Sequence, residues 1–258
     1  MPDMEKEDQL LRRRFIDQAE AAEIRGNVIF SDFMNLNEQG IFSSIKHELP
    51  VIKYFTYGGY SEAERKILCF CGDDTVEGTE DITYPISCVR LSPHSMKFSD
   101  SFSHRDFLGA VINLGIERSK IGDILVIDNM GYLFCTASIA GFIADQLTKV
   151  KHTLVSAEVI EQNNFTYKPK FKEITGSVSS IRLDSILAVA IHSSRSSLTG
   201  LIEGGKVYVN SRPVISNSYS LKENDIVSVR GFGKFIYAGV NGQSKKERYS
   251  VKILLYSE

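Results

Sequence analysis

Residues 180–234 read SIRLDSILAVAIHSSRSSLTGLIEGGKVYVNSRPVISNSYSLKENDIVSVRGFGK. Leu183, Ile186, Leu187, Ala190 and Ile191 recur at helical spacing behind a Ser180 N-cap, which predicts a helix with one apolar face that ends at His192, Ser193 and Ser194. A second short helix is expected from Ser194 or Ser196. It buries Leu198, Leu201 and Ile202 and stops at Gly204-Gly205, where a residue with positive φ can close it. Extended chain follows over 206–210, then a turn at Ser211-Arg212-Pro213 and a return strand over 225–229. The reading is helix, turn, helix, strand, strand, with the strands covering the helices.

The charges on this frame point outward. Arg182 falls in the first turn of one helix and Arg195 in the first turn of the other, while Lys206, Arg212, Arg230 and Lys234 lie at strand ends and loops. Helix N-termini combined with guanidinium groups favour phosphate. The series Arg182-Leu183-Asp184 with Leu187, Ser194-Arg195-Ser196, Ile202 with Gly205-Lys206-Val207, Val209-Asn210 and Asp225-Ile226-Val227 resembles the alpha-L RNA-binding motif, the S-four domain. Ser211 departs from it, standing where many members have Gly. The resemblance implies RNA binding by Arg182, Ser194, Arg195, Ser196, Lys206 and Asn210, and the outward charges add Arg212, Arg230 and Lys234 to the expected RNA-binding set. Arg182 and Arg195 are then expected to grip phosphates bidentately, with Lys206 and Arg212 adding charge.

Composition sets the frame around the motif. The 258 residues, 43% of them apolar, suffice for two or three small domains. No apolar run reaches the roughly 20 residues of a membrane span. The N-terminal MPDMEKEDQLLRRRF lacks the apolar core of a signal peptide, so a cytoplasmic location is expected. Cys69, Cys71, Cys88 and Cys135 form no C-x-x-C pair, and His47, His94, His104, His152 and His192 never fall at metal-ligand spacing; reduced core thiols and no metal site are expected. The net charge of −2 is unevenly spread. From Ile174 onward eleven basic and six acidic residues leave +5, against −7 for the rest, the asymmetry of a polyanion-binding module on an acidic carrier.

Ahead of the motif, residues 5–24 carry Leu10, Leu11, Phe15 and Ala19 or Ala22 on one helical stripe, and a second helix follows Asn35 and ends before Pro50. Residues 51–57 alternate like a strand. Ser61 and Glu64 have capping-box spacing for a short helix behind Gly58-Gly59, and a strand resumes over 67–70. Residues 1–80 read as a small α/β domain. From Ile82 the order is strand 86–91, helix 104–114, strand 124–127, strand 132–136, helix 139–150, strand 153–160, the β-α-β-β-α-β of a ferredoxin-like plait over 81–165. Asp123 is placed in the turn before the second of these strands and Asn129-Met130-Gly131 in the hairpin turn after it. Tyr132 and Phe134 share a strand face where some RNA modules stack bases, but the basic-glycine-aromatic string of those modules is missing, so packing is the expected use of the rings. Residues 161–176 are polar, with Lys168, Lys170 and Lys172 around Pro169, and read as a linker into the 174–258 domain; residues 248–256 should add an edge strand. The fold class is α+β.

Gly58-Gly59-Tyr60 with Ala63-Glu64-Arg65, Lys97-Phe98, His104-Arg105-Asp106 with Leu108-Gly109, Leu114-Gly115-Ile116-Glu117-Arg118 and Ile121-Gly122-Asp123-Ile124 resemble the YlmH family, over nearly the whole chain once the C-terminal motif is included. That resemblance implies a bacterial cytoplasmic protein that binds rRNA and adjacent tRNA on the large ribosomal subunit, in quality control of stalled translation. It implies neither cofactor nor small-molecule substrate.

Three short strings suggest enzymes and fail on context. Residues 200–206 fit G-x-x-x-x-G-K, but Val207 replaces the magnesium-binding hydroxyl and the helix precedes the turn. His104-Arg105-Asp106 lacks the remaining parts of a kinase. Arg182-Leu183-Asp184 matches the R-L-D of pseudouridine synthases without the flanking Gly or T-x-G-L. The expectation is a protein that is not an enzyme. An RNA-modifying enzyme, which needs a catalytic Asp or cofactor pocket in the plait, and a cell-division-linked interaction protein are the alternatives.

Overall fold

The computed structural model describes residues 2–72, 76–161, 165, 167, 169–243 and 248–257, without the side chains of residues 2–5, 79, 195 and 257. Lys168, Lys245 and Lys246, and the side chain of Arg195, therefore lie outside the described residues. The chain divides into two compact units, Met1–Tyr167 and Lys168–Glu258.

In the first unit, helix α1 (Pro2–Arg25) buries Phe15, Ala19 and Ala22, the stripe its spacing predicts. Strand β1 (Val28–Met34) leads to α2 (Leu36–Ser44), whose start is set by Asn35: its Oδ1 accepts the Asn37 and Glu38 N–H groups at 2.8 and 3.1 Å, and the Glu38 carboxylate accepts the Asn35 N–H at 2.6 Å. Strands β2 (Lys53–Tyr57) and β3 (Lys66–Cys71) complete an antiparallel sheet in the order β1-β3-β2. The short helix expected at Ser61 is absent. The segment forms turns, because the Glu64 and Arg65 N–H groups donate to Asp123, not to a helix.

The plait follows as β4 (Ile86–Pro93), α3 (His104–Ile112), β5 (Ile121–Ile127), β6 (Met130–Thr136), α4 (Ala137–Gln146), β7 (Lys149–Val150) and β8 (Thr153–Ile160). The antiparallel sheet runs β5-β6-β4-β8-β7, so the plait's four main strands stand in ferredoxin-like order and β7 is an added edge. The fifth predicted segment, the helix over 139–150, is thus split: α4 ends at Gln146 and the remainder forms a hairpin with β8. The β5–β6 turn is centred on Asp128 and Asn129, at φ 49° and 61°, one residue earlier than expected, and Asp123 lies within β5.

Val89, Leu91, Phe107, Val111, Leu133 and Ile143 form the core between that sheet and α3 and α4. On its opposite face Ile86, Cys88 and Phe134 pack with Phe33, Ile67 and Cys69 of the N-terminal sheet. All four cysteines are buried free thiols, and burial pushes Cys88 and Cys135 up to about 12.

The second unit opens with β9 (Lys170–Val178), where the sequence suggested a linker, and continues through α5 (Leu183–Ile191), α6 (Arg195–Glu203), β10 (Val207–Val209), β11 (Arg212–Pro213), β12 (Asp225–Val229), β13 (Gly233–Gln243) and β14 (Tyr249–Ser257). The antiparallel sheet runs β11-β10-β12-β13-β14-β9. β14 is therefore interior, not an edge strand, because β9 pairs along its whole length. Leu183, Ile186, Leu187, Leu198 and Ile202 from the helices meet Val207, Val227, Phe235, Val251 and Ile253 from the sheet in one core.

Candidate nucleic-acid interface

Helix α5 is capped by Arg182, not Ser180. The reason is the 217–219 loop, whose Tyr219 and Asn217 carbonyls accept the Leu183 and Asp184 N–H groups at 2.8 and 3.3 Å. The first N–H groups of this helix are thus spent inside the protein. The Arg182 guanidinium forks onto Asp184, Nε and an Nη each at 3.2 Å, and so neutralises a carboxylate only 8% exposed.

His192 adopts the left-handed conformation that closes α5, and the chain restarts as α6 with Ser194 as N-cap, its Oγ accepting the Ser197 N–H at 3.3 Å. Arg195 is the first helical residue, where the positive end of the helix dipole favours an anion. Ser194 and Ser196 are exposed and share a hydroxyl–hydroxyl bond of 3.1 Å.

The turn after β10 is centred on Asn210 and Ser211, at φ 49° and 64°, so the conformation often given to Gly is held here by Ser211. Arg212 and Pro213 belong to β11, not to the turn. The Asn210 amide is used at both ends: Nδ2 donates to Asp225 Oδ1 at 2.8 Å and Oδ1 accepts the Ile226 N–H at 3.0 Å. Asn210 therefore holds the hairpin, leaving Arg212 exposed on the edge strand.

The nine predicted residues do not share one surface. Arg212 pairs with Val209 and so lies on the sheet face that bears the helices. Tyr208, Ser228 and Lys234 are cross-strand neighbours on the other face. There the Arg230 guanidinium sits 5.7 Å from the Tyr208 ring centre and the Lys234 ammonium 4.6 Å from that of Tyr256, which meets Phe171 edge-on at 4.8 Å. Lys206 is exposed at the start of β10, its carbonyl accepting the Arg230 N–H at 2.9 Å. Sequence reading missed Tyr208, Tyr256 and Phe171; their alternation within β10, β14 and β9 was the available signal.

In the first unit the widely spaced strings come together at Asp123. Its Oδ2 accepts the Tyr60 hydroxyl at 2.8 Å and the Glu64 N–H at 2.6 Å, and its Oδ1 accepts the Arg65 N–H at 3.0 Å. The Arg65 guanidinium donates to the Ile121, Phe33 and Arg118 carbonyls. Arg118 donates to the Ile121 and Gly122 carbonyls and is brought down to about 10, chiefly by burial and then by the neighbouring Arg65 charge. Gly59, at φ +100°, would place a Cβ 2.3 Å from the Phe134 ring, and a Cβ on Gly122 would lie 2.7 Å from Phe33, so both glycines permit close packing. The Asp123 carboxylate is thus occupied in holding this loop. The Phe134 ring is fully buried and stacked on Tyr60 at 5.0 Å, so the sheet face that stacks bases in other plaits is taken up here by the N-terminal sheet. Among the described residues no His, Cys, Asp and Glu side chains cluster as a metal site, and no helix is long and apolar enough to cross a membrane.

A helix pair, a short hairpin and exposed cations on an antiparallel sheet define an S-four-type RNA-binding protein. Residues 181–227 match the family model "S4 domain", and residues 81–164 match "Putative RNA-binding domain in YlmH". A curated relative, "Ribosome-associated protein quality control protein P2" of Bacillus subtilis (strain 168), is 33% identical over 247 residues, covering 93% of each chain. The chain belongs to the YlmH family. The solved structure "Cell division protein ylmH from Streptococcus pneumoniae" is 22% identical over 62% of this chain and 95% of that one, with a TM-score of 0.49.

Proposed function

We propose that the protein binds rRNA, together with adjacent tRNA, on the large ribosomal subunit and acts there in quality control of stalled translation without catalysing a reaction. The observation that carries this reading is the S4 match lying on the segment in which Arg195 opens α6 and Lys206 and Arg212 are exposed. The Bacillus relative's name supplies the ribosomal setting. Arg195, Lys206 and Arg212 are the direct phosphate contacts in this proposal, with the Ser194 and Ser196 hydroxyls beside them. Arg182 and Asn210 support the site from within, and Arg230 and Lys234 serve the opposite sheet face. A ribosomal role goes with a cytoplasmic location, which is part of the proposal.

The test is sedimentation of the purified full chain with large and small ribosomal subunits. Retention on the large subunit, lost with rising salt, is expected. Exclusive retention on the small subunit, or none at low salt, would overturn the proposal. A nucleoside modification made in rRNA by the purified chain would show an enzyme instead.

A further inference from the structure

Residues 81–164 match an RNA-binding family model, yet the base-stacking face of the plait is filled by its own neighbour. The exposed rings identify another place. Among the described residues of the plait, Phe98 is the most exposed aromatic, at 81%, in the loop after β4, with the Lys97 ammonium 5.4 Å from its ring centre. Phe142, 49% exposed, is the next, but α4 carries Asp145 and no basic residue.

The Phe98 loop is held in place. Asn129 Nδ2 donates to Ser99 Oγ and to the Asp100 carbonyl, both at 2.9 Å, while its Oδ1 accepts the Phe102 N–H at 2.8 Å. The Asp100 carboxylate accepts the His152 N–H at 3.1 Å and the Thr153 hydroxyl at 2.8 Å. These bonds tie the loop to the β7–β8 hairpin, which brings Lys149 and Lys151 to the same end of the plait as Arg105 in the first turn of α3. Lys151 donates to the Ser101 carbonyl and pairs with Asp106 at 3.2 Å. Of the local acids, Asp100 and Asp106 are committed to these bonds, and Asp128 is exposed on the adjoining turn. A water-exposed phenyl ring costs free energy unless something covers it, and a ring on a fixed loop among ammonium and guanidinium groups is suited to a base flanked by phosphates.

We propose that Phe98, Lys97, Arg105 and Lys149 form a second RNA contact that takes an unpaired nucleotide, its base stacked on Phe98 and the flanking phosphates met by the cations. This rests on the RNA-binding function proposed above and adds where the plait engages RNA.

The full chain is titrated by fluorescence anisotropy with a labelled RNA hairpin that has an unpaired loop and with a fully paired duplex, beside Phe98→Ala, Phe98→Tyr and Phe98→Leu. Phe98→Ala and Phe98→Leu should each weaken hairpin binding by about five- to a hundredfold, Phe98→Tyr should restore it, and duplex binding should hardly move. Unchanged hairpin affinity in Phe98→Ala, or full affinity in Phe98→Leu, would overturn the contact and leave the proposed function standing. Failure of the parent chain to bind either RNA would overturn both. Loss of ribosome sedimentation with unchanged affinity for the free RNAs would assign the loop to a protein and overturn the RNA contact. Circular dichroism checks the fold of each variant.

Discussion

Tyr60 donates its hydroxyl to Asp123 at 2.8 Å, fastening the N-terminal loop 58–65 to β5 of the plait. The same carboxylate takes two backbone N–H groups, so three donors depend on one side chain.

Asp123→Ala should therefore destabilise the protein by about 2–4 kcal/mol, since each half-buried donor left without an acceptor costs about 1–3 kcal/mol and part of that is relieved by water entering. Tyr60→Phe, which removes one donor and one bond and keeps the ring on Phe134, should cost about 1 kcal/mol. Urea unfolding of both variants checks the order. Equal losses would show that the Tyr60 hydroxyl bond, and not the two backbone N–H bonds, carries the carboxylate's contribution.

Asn210→Ala should lower stability by about 1–3 kcal/mol, because it deletes bonds to Asp225 and Ile226 and places an alanine at φ 49°. RNA affinity measured well below the unfolding transition should be nearly that of the parent. A folded variant with tenfold weaker binding would restore Asn210 as a direct contact.

The arginines should separate by salt dependence. With Arg195, Lys206 and Arg212 on phosphates, log K against log salt should fall with a slope of about −2 to −3, and Arg195→Ala or Arg212→Ala should make it shallower by about one. Arg195→Ala should also lose roughly 1.5–3 kcal/mol of binding, and Arg195→Lys should recover only part, since an ammonium lacks the fork. Arg182→Ala should leave the slope nearly unchanged and reduce stability instead, because Asp184 would be left buried without its counter-charge. Subunit binding across a salt series, beside thermal unfolding, reads both effects.

The acid limb of stability should depend on Asp106. The Ser103 hydroxyl, the Ser103 N–H and Lys151 hold its carboxyl below the ordinary 3.8. A carboxyl depressed in the folded state stabilises above the unfolded value, and that contribution is lost as pH falls through the folded one. Asp106→Asn should thus be less stable than the parent at neutral pH and lose less on acidification below about pH 4. Parallel stability curves from pH 6 to 2 would exclude this residue.

The plait was legible because its strands alternate and Asn129 marks a hairpin turn between two of them, although that turn, read at Asn129-Met130-Gly131, is centred on Asp128 and Asn129. Strand β9 was not. As a terminal strand of the sheet it buries only Ile174 and Val178 along KFKEITGSV, so its composition is that of a linker although each of its residues is in register with β14. Strand β13 carries Gly233, Gly239 and Gly242, which interrupt the alternation while permitting the register shifts seen against β14. The short helix read from Ser61 and Glu64 failed because a carboxylate some sixty positions away in the chain, Asp123, competes for the same N–H groups. In the candidate site the cationic positions were legible from helix starts and strand ends. Which cations were already paired inside the protein was not, since Arg182 faces Asp184 only once α5 and the 217–219 loop have formed.

Strand β9 pairs with β14, residue 174 facing residue 253, so the opening strand of the second unit finds its partner only after nearly all the intervening chain has been made. During synthesis, α5, α6 and the β10–β12 core can form early, while β9 waits with one long backbone edge unsatisfied and Phe171 without Tyr256 to pack on. Closure is then a late, cooperative step, and a transcript truncated before β14 would yield a chain whose helices α5 and α6 are present on an unfinished, aggregation-prone sheet.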